Sequence, residues 1–427
     1  MQYALDSFRV NRQLSASIAL PVMCKSSARV LDMNSMRTTI ERLHLSEISP
    51  NVVQSEIRSM TVECDRVGGV NLAQGVCDTE VPPPVVQRAI EAIHQGYNIY
   101  TRLDGIAPLR EAIARKLERD NHLTVDPESE VLVTSGATAG FYAAALALLD
   151  PGDEVILFEP FYGYHLNTLL ALRIKPVAVP LTDGDWALAL DRLREAITAK
   201  TRALVINTPG NPCGKVFSRA ELEAIAAIAE EHDLFIFTDE IYEYFVFDGR
   251  EHVSAATLPG MAERTISISG LSKTFSITGW RVGYLTASPR WMGSIGYFHD
   301  LTYVCSPSPF QYGAAAGLME LPLSFYTDMA AEYQAKRDLM CSALADAGLP
   351  PSIPAGAYYV LADASSLPGA TAKEKARTLL RERGVAAVAG TAFFTGGRGE
   401  NLLRFCFAKR DEDLQRACDL LRGVVKV

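Results

Sequence analysis

The 427-residue sequence lacks the patterns that mark several large classes of protein. Its eight cysteines form no Cys-x-x-Cys pair and no zinc-ligand spacing, so the sequence predicts neither a disulfide framework nor a metal site. We expect reduced and mostly buried thiols, as in a cytoplasmic protein. The apolar run at residues 143–149 is far too short for a membrane span, and we expect no membrane association.

Charge and glycine patterns argue against further classes. The net charge is −9 and the charged residues are dispersed, which argues against a nucleic-acid partner. The glycine fingerprint of dinucleotide-binding folds is missing, and so is the lysine-containing loop that binds nucleoside triphosphates. A nicotinamide-dependent dehydrogenase is therefore a weak hypothesis. What the sequence does have is an ordinary globular composition, 48% hydrophobic and 21% charged, which suffices for one large and one small domain.

Strands and helices are predicted to alternate from residue 130 onward. Amphipathic helices lie between several apolar strands, which are predicted at residues 131–134, 154–159, 175–179, 203–207, 234–238, 265–269 and 281–287. This alternation is typical of an α/β fold with a mainly parallel sheet covered by helices on both faces. Ligands of such sheets bind beyond the carboxyl ends of the strands. The segments near both chain ends predict a smaller α+β domain, in which we expect a long helical stretch at residues 310–348 and a strand at residues 385–388.

Lys273 follows the predicted strand at residues 265–269 and has small neighbours, among them Gly270 and Ser272. Little side-chain bulk allows a large group to approach this backbone. Arg281 lies eight residues further on. A lysine amine can form a Schiff base with an aldehyde, and an arginine fork can bind a phosphate through two hydrogen bonds. The pair therefore suits an aldehyde that carries a phosphate; the alternative is a surface lysine and arginine beside a Gly/Ser loop.

A tight turn is predicted at residues 135–140, between a strand and a helix at residues 141–149. The backbone N–H groups of Gly136, Ala137 and Thr138, together with the helix N-terminus, can hold a phosphate. The alternative is a tight turn without a ligand.

Two further loops follow predicted strands. Tyr162 can stack on a planar group, although Phe161 beside it is an alternative for the stacking ring and also a candidate for the core. Asn211 lies in the stiff segment Asn-Thr-Pro-Gly-Asn-Pro and can donate a hydrogen bond to a phenolic oxygen. An Asn-Pro turn without a ligand is the alternative for Asn211.

Asp239 ends an apolar strand, where an ionised carboxylate needs a partner. A protonated pyridine nitrogen supplies one, and the ion pair would keep that ring cationic. Tyr242 can then bind the oxygen of the same ring. The alternative is that Asp239 caps a helix beginning at Glu240.

Arg404 lies within the apolar strand predicted at residues 401–408. A buried guanidinium needs an anionic partner, and a substrate carboxylate suits its fork. A structural salt bridge is the alternative.

Together these motifs resemble the class I/II aminotransferases, which are fold-type I pyridoxal-phosphate enzymes. The resemblance covers roughly residue 38 to the end and follows the family's order: phosphate turn, aromatic residue, Asn-Pro-x-Gly, Asp-x-x-Tyr, Ser-Lys and a late arginine. It implies that Lys273 binds pyridoxal 5′-phosphate, that Asp239 and Tyr242 assist catalysis, and that Ser272 and Arg281 bind the phosphate. It also implies that Arg404 and Asn211 contact the substrate.

Within that family the sequence is most similar to kynurenine/glutamine transaminases and cysteine-conjugate β-lyases. The similarity lies in segments such as Leu-Ala-Gln-Gly at 72–75 and Asn-Ile-Tyr-Thr-Arg at 98–102. It implies that Gly75 lies against the substrate carboxylate. It also implies that Tyr100 reaches the phosphate of a neighbouring subunit, and hence a homodimer with shared active sites.

Two positions depart from the family pattern. The family often has Ser or Thr three residues before the lysine, where this sequence has Gly270, so either Ser272 or Ser269 would take over the phosphate contact. Dicarboxylate-specific members tend to have an arginine in the region matching residues 291–312, and this sequence has none there. We therefore expect a substrate with a neutral, aromatic or sulfur-containing side chain rather than a dicarboxylic one.

The predicted domains follow from this resemblance. We expect a large cofactor-binding domain at residues 80–315 and a small domain formed by residues 36–79 and 316–427. Residues 1–35 are predicted to be a poorly ordered tail. They fit either a weak transit peptide or an extension before an alternative start at Met33 or Met36.

The sequence thus predicts a cytoplasmic aminotransferase that moves an amino group between an L-amino acid and a 2-oxo acid. A β-lyase or a cyclase on the same scaffold would keep all these residues and is the alternative. A non-enzymatic regulatory protein would need a DNA-binding region, which the short N-terminal tail cannot hold.

Overall fold

The structure is a computed structural model that describes residues 44–52 and 57–423. The prediction for residues 1–35 lies outside the described residues. The chain divides into an N-terminal unit, Met1–Glu47, and one compact unit, Ile48–Val427. All elements named below belong to the second unit.

A seven-stranded sheet forms the centre of this unit, in the order β2-β8-β7-β6-β5-β3-β4. Strand β8 runs antiparallel to both of its neighbours, and all other neighbouring pairs are parallel. The strands are β2 (Val131–Thr134), β3 (Glu154–Glu159), β4 (Lys175–Pro180), β5 (Thr201–Asn207), β6 (Phe235–Asp239), β7 (Thr265–Gly270) and β8 (Gly283–Thr286). The predicted α/β fold is confirmed.

Both faces of this sheet are covered, as the continuous apolar strands predict. Ile156 and Leu204 pack into the core on one face, whereas the next residues along, Leu157 and Val205, pack into the core on the other. Burial of each such side chain stabilises the fold by about 1.5–3 kcal/mol. The sheet is therefore a rigid platform whose carboxyl edge can hold a site.

The helices cover the sheet and connect its strands. They are α1 (Ile57–Val67), α2 (Pro83–His94), α3 (Ala107–Asn121), α4 (Ala137–Leu148), α5 (Gly163–Ala171), α6 (Leu190–Ala196), α7 (Arg219–Glu231), α8 (Pro289–Tyr303), α9 (Ser308–Glu320), α10 (Leu323–Asp346), α11 (Ala372–Arg383) and α12 (Asp411–Arg422). Within the described ranges, none of them is both long and apolar enough to cross a membrane.

A second, antiparallel sheet has the order β12-β13-β10-β9. It is formed by β9 (Pro351–Ser352), β10 (Tyr359–Asp363), β12 (Val388–Ala389) and β13 (Leu402–Cys406). Strand β1 (Val70–Asn71) pairs with β11 (Val385–Ala386) in parallel, which brings the N-terminal segment beside the C-terminal one. The boundaries at residues 79/80 and 315/316 stay a prediction.

Three local predictions were wrong. Helix α4 begins at Ala137 rather than at residue 141, because Gly136 takes a φ of +84° and completes the turn at once. The long helix predicted from residue 310 to 348 is two helices, since Pro322 has no N–H to donate. The single strand expected at residues 385–388 is the two short strands β11 and β12, each with a different partner.

Candidate active site

A cavity of about 460 Å³ lies at the carboxyl edge of the central sheet. Most of the predicted site residues line it, namely Gly75, Ala137, Thr138, Tyr162, Asn211, Asp239, Tyr242, Ser272, Lys273, Arg281 and Arg404. They come from the loops after six different strands, β1 among them, from the end of β6 and from the second sheet. Residues that are far apart in sequence therefore converge on one cavity, as they do in a functional site. Unrelated turns would not be brought together in this way.

Two predicted residues do not line this cavity. Gly136 packs against a residue that does line it, since a Cβ on Gly136 would come within 2.2 Å of the Arg281 guanidinium. Tyr100 is 79% exposed and belongs to a separate open cleft together with Tyr97 and Tyr312. The structure therefore does not bring Tyr100 to the site of its own chain.

Lys273 is half-buried just past β7, and its Nζ donates a hydrogen bond to the Gly75 carbonyl at 3.2 Å. Desolvation by burial is the largest influence on this amine and lowers the pKa of Lys273 below its usual value. The amine is therefore more readily deprotonated than a surface lysine, which suits a nucleophile.

Gly75 faces Lys273 across the cavity and has no room for a side chain. A Cβ there would lie 1.9 Å from the Tyr359 hydroxyl oxygen. The Gly75 carbonyl also accepts a hydrogen bond from the Tyr358 hydroxyl at 3.4 Å. This segment is thus held by residues at the second sheet while its carbonyl contacts the lysine just past β7.

Asp239 is the last residue of β6, and its carboxylate pairs with His165 on α5, with Nε2 3.1 Å from Oδ2. The other carboxylate oxygen accepts only a long bond, 3.4 Å, from the Ile241 N–H. No helix follows, because residues 241–244 form turns, so the alternative of a helix cap is wrong. The carboxylate is buried yet lines the cavity, where a cationic ring nitrogen can reach it.

Sequence reasoning missed His165. It is one of seven histidines in the chain and lies on an otherwise largely apolar stretch, one turn after the Tyr162 loop. The ring also contacts Phe141, with centroids 4.6 Å apart. A histidine shortly after an apolar strand of the same sheet that carries the buried aspartate was the available signal.

The turn after β2 and Arg281 form one corner of the cavity. The Arg281 Nη2 donates to the Ser135 carbonyl at 3.3 Å, and Gly283 packs so closely that a Cβ there would lie 2.5 Å from the Ala137 nitrogen. The first N–H groups of α4 therefore point into the same corner as the guanidinium. N–H groups at a helix start and an arginine together suit a phosphate.

Ser272, rather than Ser269, lies at this cavity. Ser269 is turned away and donates to the Glu243 carboxylate at 3.1 Å. Ser272 lines the cavity beside Lys273. Of the two candidates to replace the serine or threonine that Gly270 displaces, Ser272 is the one placed to do so.

His299, on α8, holds the turn after β2 in place. The side chain is fully buried, and its Nε2 accepts a hydrogen bond from the Ser135 N–H at 3.1 Å. An accepting Nε2 requires the neutral ring, and burial lowers the pKa of His299 to about 4.

Acid should therefore destabilise the protein through His299. The unfolded histidine has a pKa of about 6.5, so the stability that the neutral ring contributes is complete above that pH and is lost as pH falls toward 4. At pH 5 the loss is about 2 kcal/mol. Between pH 7.5 and 5, the free energy of unfolding in urea should fall by about this much more in the wild type than in His299→Gln, whose amide oxygen can also accept from Ser135. Equal losses in the two proteins would refute the assignment.

Arg404, in the middle of β13, is 1% exposed. Its guanidinium lies between the rings of Tyr359 and Phe393, 4.4 and 4.9 Å from their centroids. Nη1 donates to the Asn211 Oδ1 at 2.9 Å and Nη2 to the Ala73 carbonyl at 2.6 Å, while Nε has no partner.

No carboxylate of residues 44–52 and 57–423 pairs with Arg404. The alternative of a structural salt bridge therefore finds no support within the described residues. A buried cation without a counterion is costly, and here it lines a cavity that can admit an anion.

Asn211 links this arginine to the end of β5. Its N–H donates to the Asn207 Oδ1 at 2.7 Å, and the Asn207 amide donates to the Asp239 carbonyl at 3.0 Å. Because Asn211 Oδ1 accepts from Arg404, its Nδ2 is left to donate into the cavity. Tyr242 shares a hydrogen bond of 3.0 Å with Tyr359, so its hydroxyl is fixed as well.

The aromatic residues after β3 divide between the core and the cavity. Phe161 packs into the core of the central sheet, whereas Tyr162 lines the cavity and stacks on Tyr164 with ring centroids 5.2 Å apart. Phe141, which the sequence analysis assigned only to a helix, lines the cavity too. Tyr162 keeps its predicted place, and Phe141 is a second ring available for stacking.

A buried carboxylate fixes the wall behind Phe393. Glu159, 1% exposed at the end of β3, pairs with the Arg398 Nη1 at 2.5 Å and accepts a hydrogen bond from the Thr395 hydroxyl at 2.9 Å. The Phe161 N–H also donates to the Phe393 carbonyl at 3.0 Å. These contacts hold Phe393, and hence the Arg404 guanidinium, against the end of the central sheet.

Comparisons with known proteins agree with this geometry. Residues 67–421 match the family model of the aminotransferases of class I and II. An aromatic-amino-acid aminotransferase of Thermococcus litoralis is 36% identical over 90% of this chain and 98% of its own length. A kynurenine–oxoglutarate transaminase of Dictyostelium discoideum is 33% identical over 92% of this chain and 100% of its own length.

A solved structure is similar as well. The N-succinyldiaminopimelate aminotransferase of Mycobacterium tuberculosis superposes with a TM-score of 0.86 at 37% identity, over 90% of this chain and 100% of that one. These relatives differ in their substrates, so the comparisons establish the reaction class and not the substrate.

The cavity fits the cofactor of that family. It contains an amine with a lowered pKa, a buried carboxylate and an arginine beside a helix start, and a Cβ on Gly75 or Gly136 would collide with a residue that lines it. These are the groups that an aldehyde, a ring nitrogen and a phosphate need. The chain belongs to the class I and II aminotransferases, the pyridoxal-phosphate-dependent enzymes that transfer amino groups.

Proposed function

We propose that this aminotransferase moves an amino group between an L-amino acid with a neutral, aromatic or sulfur-containing side chain and a 2-oxo acid. The observation that carries the proposal is that Lys273, Asp239, Arg281 and Arg404 all line one cavity. Three of these charges suit the cofactor, and the fourth is left for the carboxylate of the substrate.

The residues that would hold pyridoxal phosphate follow from their chemistry. Arg281, Ser272 and the start of α4 at Gly136, Ala137 and Thr138 would bind the phosphate. Asp239, oriented by His165, would hold the protonated ring nitrogen, while Asn211 and Tyr242 would donate to the phenolic oxygen. Tyr162 would lie against the face of the ring. When bound, the cofactor supplies an aldehyde for the amino group and a cationic ring that withdraws electrons from the substrate Cα.

The side chains of the protein carry out the remaining steps of the reaction. Arg404 binds the substrate carboxylate beside Gly75 and so orients the Cα hydrogen. Lys273 Nζ accepts the proton from Cα and later returns it, acting as general base and then as general acid. Burial lowers the pKa of Lys273, so the amine gives up its own proton more readily than a surface lysine does. Tyr359 and Phe393 exclude water from the arginine, which strengthens its hold on the carboxylate.

The proposed side-chain preference rests on the walls of the cavity. Tyr162, Tyr164, Tyr359, Phe141 and Ile241 line it, which suits an apolar or aromatic side chain. None of the arginines lining the cavity lies in the region 291–312. A donor that carries a second charge would therefore have to be bound in another way.

We also propose a homodimer, in the cytoplasm, in which Tyr100 acts on the site of the second copy. Tyr100 and Ile99 are 79% and 78% exposed, and Leu103 and Tyr97 nearby are also exposed. An exposed group of large apolar residues beside an open cleft is typical of a contact surface. Because Tyr100 faces solvent in its own chain, it cannot contribute to the active site of that chain.

A comparison of amino donors tests the side-chain preference. With one 2-oxo acid at saturation, kcat/KM for phenylalanine, methionine and glutamine should exceed that for aspartate by about tenfold or more, since unpaired burial of one carboxylate costs at least that much. A preference for aspartate would overturn the proposed substrate class. Pyruvate and ammonia released from a cysteine conjugate without any oxo acid would favour the β-lyase instead.

A further inference from the structure

Tyr359 lines the cavity, but the proposed function uses only its ring, which packs on the Arg404 guanidinium. The hydroxyl at the end of that ring has no assigned role in the reaction. It shares a hydrogen bond of 3.0 Å with the hydroxyl of Tyr242, the residue proposed to donate to the phenolic oxygen of the cofactor. Tyr359 is 2% exposed and Tyr242 is 4% exposed, so this hydrogen bond is shielded from bulk solvent.

The second sheet fixes the position of Tyr359. This residue begins β10 and pairs with Cys406 of β13, two residues along from Arg404. Because alternate residues of a strand share a face, Tyr359 and Arg404 lie on the same face of the sheet, with the guanidinium carbon 4.4 Å from the ring centroid. The N-terminal segment packs closely too, since a Cβ on Gly75 would lie 1.9 Å from the Tyr359 hydroxyl oxygen. Contacts on two sides therefore hold this hydroxyl against Tyr242.

The two hydroxyls have two protons between them. Burial raises the pKa of Tyr242 and of Tyr359 above the usual value for a tyrosine, so both stay protonated near neutral pH. One proton lies in the hydrogen bond between the two oxygens, and the other is left to donate elsewhere. If Tyr242 donates to the cofactor, its own oxygen must accept from Tyr359. Hydrogen bonds in such a chain polarise one another, so the bond from Tyr359 strengthens the one that Tyr242 donates.

We infer that Tyr359 is a positioning residue whose hydroxyl donates to Tyr242 and thereby directs the Tyr242 proton to the phenolic oxygen of the cofactor. This inference rests on the proposed function, which assigns that oxygen to Tyr242. When the lysine-bound cofactor loses its proton, the negative charge on the phenolic oxygen is no longer compensated, and a donated hydrogen bond stabilises it. Tyr359 therefore lowers the pKa at which the lysine-bound cofactor gives up its proton.

A pH titration of the absorbance of the pyridoxal-phosphate-loaded enzyme tests this inference. Tyr359→Phe removes the hydroxyl and keeps the ring that packs on Arg404. The pKa of the lysine-bound cofactor should rise by about 0.4 units in this variant, since neighbouring hydrogen bonds strengthen one another by about 10–30%. It should rise by about 1 unit or more in Tyr242→Phe, which loses the direct charge-assisted bond. The double variant should titrate like Tyr242→Phe alone, because Tyr359 acts through Tyr242.

Two controls separate this role from general packing. The affinity of the loaded enzyme for 3-phenylpropionate should change by less than about twofold in Tyr359→Phe, because the ring beside Arg404 remains. Tyr326→Phe should titrate like the wild type, since Tyr326 is a buried tyrosine of α10 that is not among the described residues lining the cavity. The other titratable groups around the hydroxyl pair are kept in Tyr359→Phe, namely Asp239, Lys273, Arg404, Cys406, Tyr162 and Tyr358.

The outcomes distinguish this inference from the proposed function. An unchanged pKa in Tyr359→Phe, a rise as large as that in Tyr242→Phe, or additive rises in the double variant would overturn the inference and leave the proposed function standing. The same rise in Tyr326→Phe, or a parallel loss of affinity for 3-phenylpropionate in Tyr359→Phe, would overturn it too, because the effect would then be one of packing. A wild type without any lysine-bound band would contradict the proposed function and the inference together.

Discussion

Replacement of Lys273 with alanine is expected to lower kcat for transamination by at least about 10⁴-fold. The same amine has two tasks, since it binds the cofactor aldehyde and moves the proton at the substrate Cα. No other lysine among the described residues lines the cavity, so no neighbour can replace it. Its low pKa depends on burial in this particular site, which a mobile surface lysine would not reproduce.

Two measurements check this expectation. Single-turnover kinetics should show that proton transfer from the amino acid has nearly stopped, and mass spectrometry after borohydride reduction should find no cofactor attached to the variant. Lys273→Arg is the control for charge, because it keeps a cation but is neither a nucleophile nor a base near neutral pH. A Lys273→Ala protein that turned over at the normal rate would show that the lysine is not the catalytic group.

Replacement of Arg404 with lysine is expected to lower kcat/KM for amino acids by about 10²- to 10³-fold. The ammonium keeps the charge, but it cannot donate to Asn211, to the Ala73 carbonyl and to a carboxylate in the fixed geometry of the guanidinium. It also loses the planar contact with Tyr359 and Phe393. The substrate carboxylate would then be held loosely, and the Cα hydrogen would no longer be aimed at Lys273.

The comparison of phenylalanine with phenethylamine isolates this effect. The wild type should prefer phenylalanine strongly, because the amine lacks the carboxylate that Arg404 binds, and Arg404→Lys should lose most of that preference. The absorbance of the bound cofactor should be the same in both proteins, which shows that the site is still folded. An unchanged preference for the carboxylated substrate would refute the assignment of Arg404.

Much of this site could be predicted from the sequence because it is built at strand ends. Asp239 ends β6, Lys273 follows β7 and the phosphate turn follows β2, so the strand pattern placed these side chains at one edge. Arg404 was recognisable for another reason, since a charge in the middle of an apolar strand needs an explanation. Such charged residues are unusual within or directly after an apolar strand, and the sequence alone shows this.

The residues that the sequence did not reveal are those without such a conflict. Phe141 is an ordinary apolar helical residue, and only its packing against His165 shows that it borders the cavity. Glu159 and Arg398 read as common charged residues until the fold brings them together from positions far apart in the chain. Arg58 also lines the cavity, but it lies on an amphipathic helix, where an exposed arginine is common.

Local boundaries failed where one residue overrides a pattern. The run of helix-forming residues from 310 to 348 hid the effect of Pro322, and the small residues at 135–140 suggested a longer turn than Gly136 needs. In both cases backbone geometry at one position decided the element boundary. The site was little affected, because the N–H groups of α4 still face Arg281.

The central claim is that Lys273 holds pyridoxal phosphate in a site that accepts amino groups, and an absorbance spectrum tests it most directly. Purified protein loaded with pyridoxal phosphate would be measured before and after addition of an amino acid, with no oxo acid present. The visible band of the lysine-bound cofactor should disappear while the band of the aminated cofactor forms, and a 2-oxo acid should restore the first band. No lysine-bound band, even after pyridoxal phosphate has been added in excess, would contradict the account.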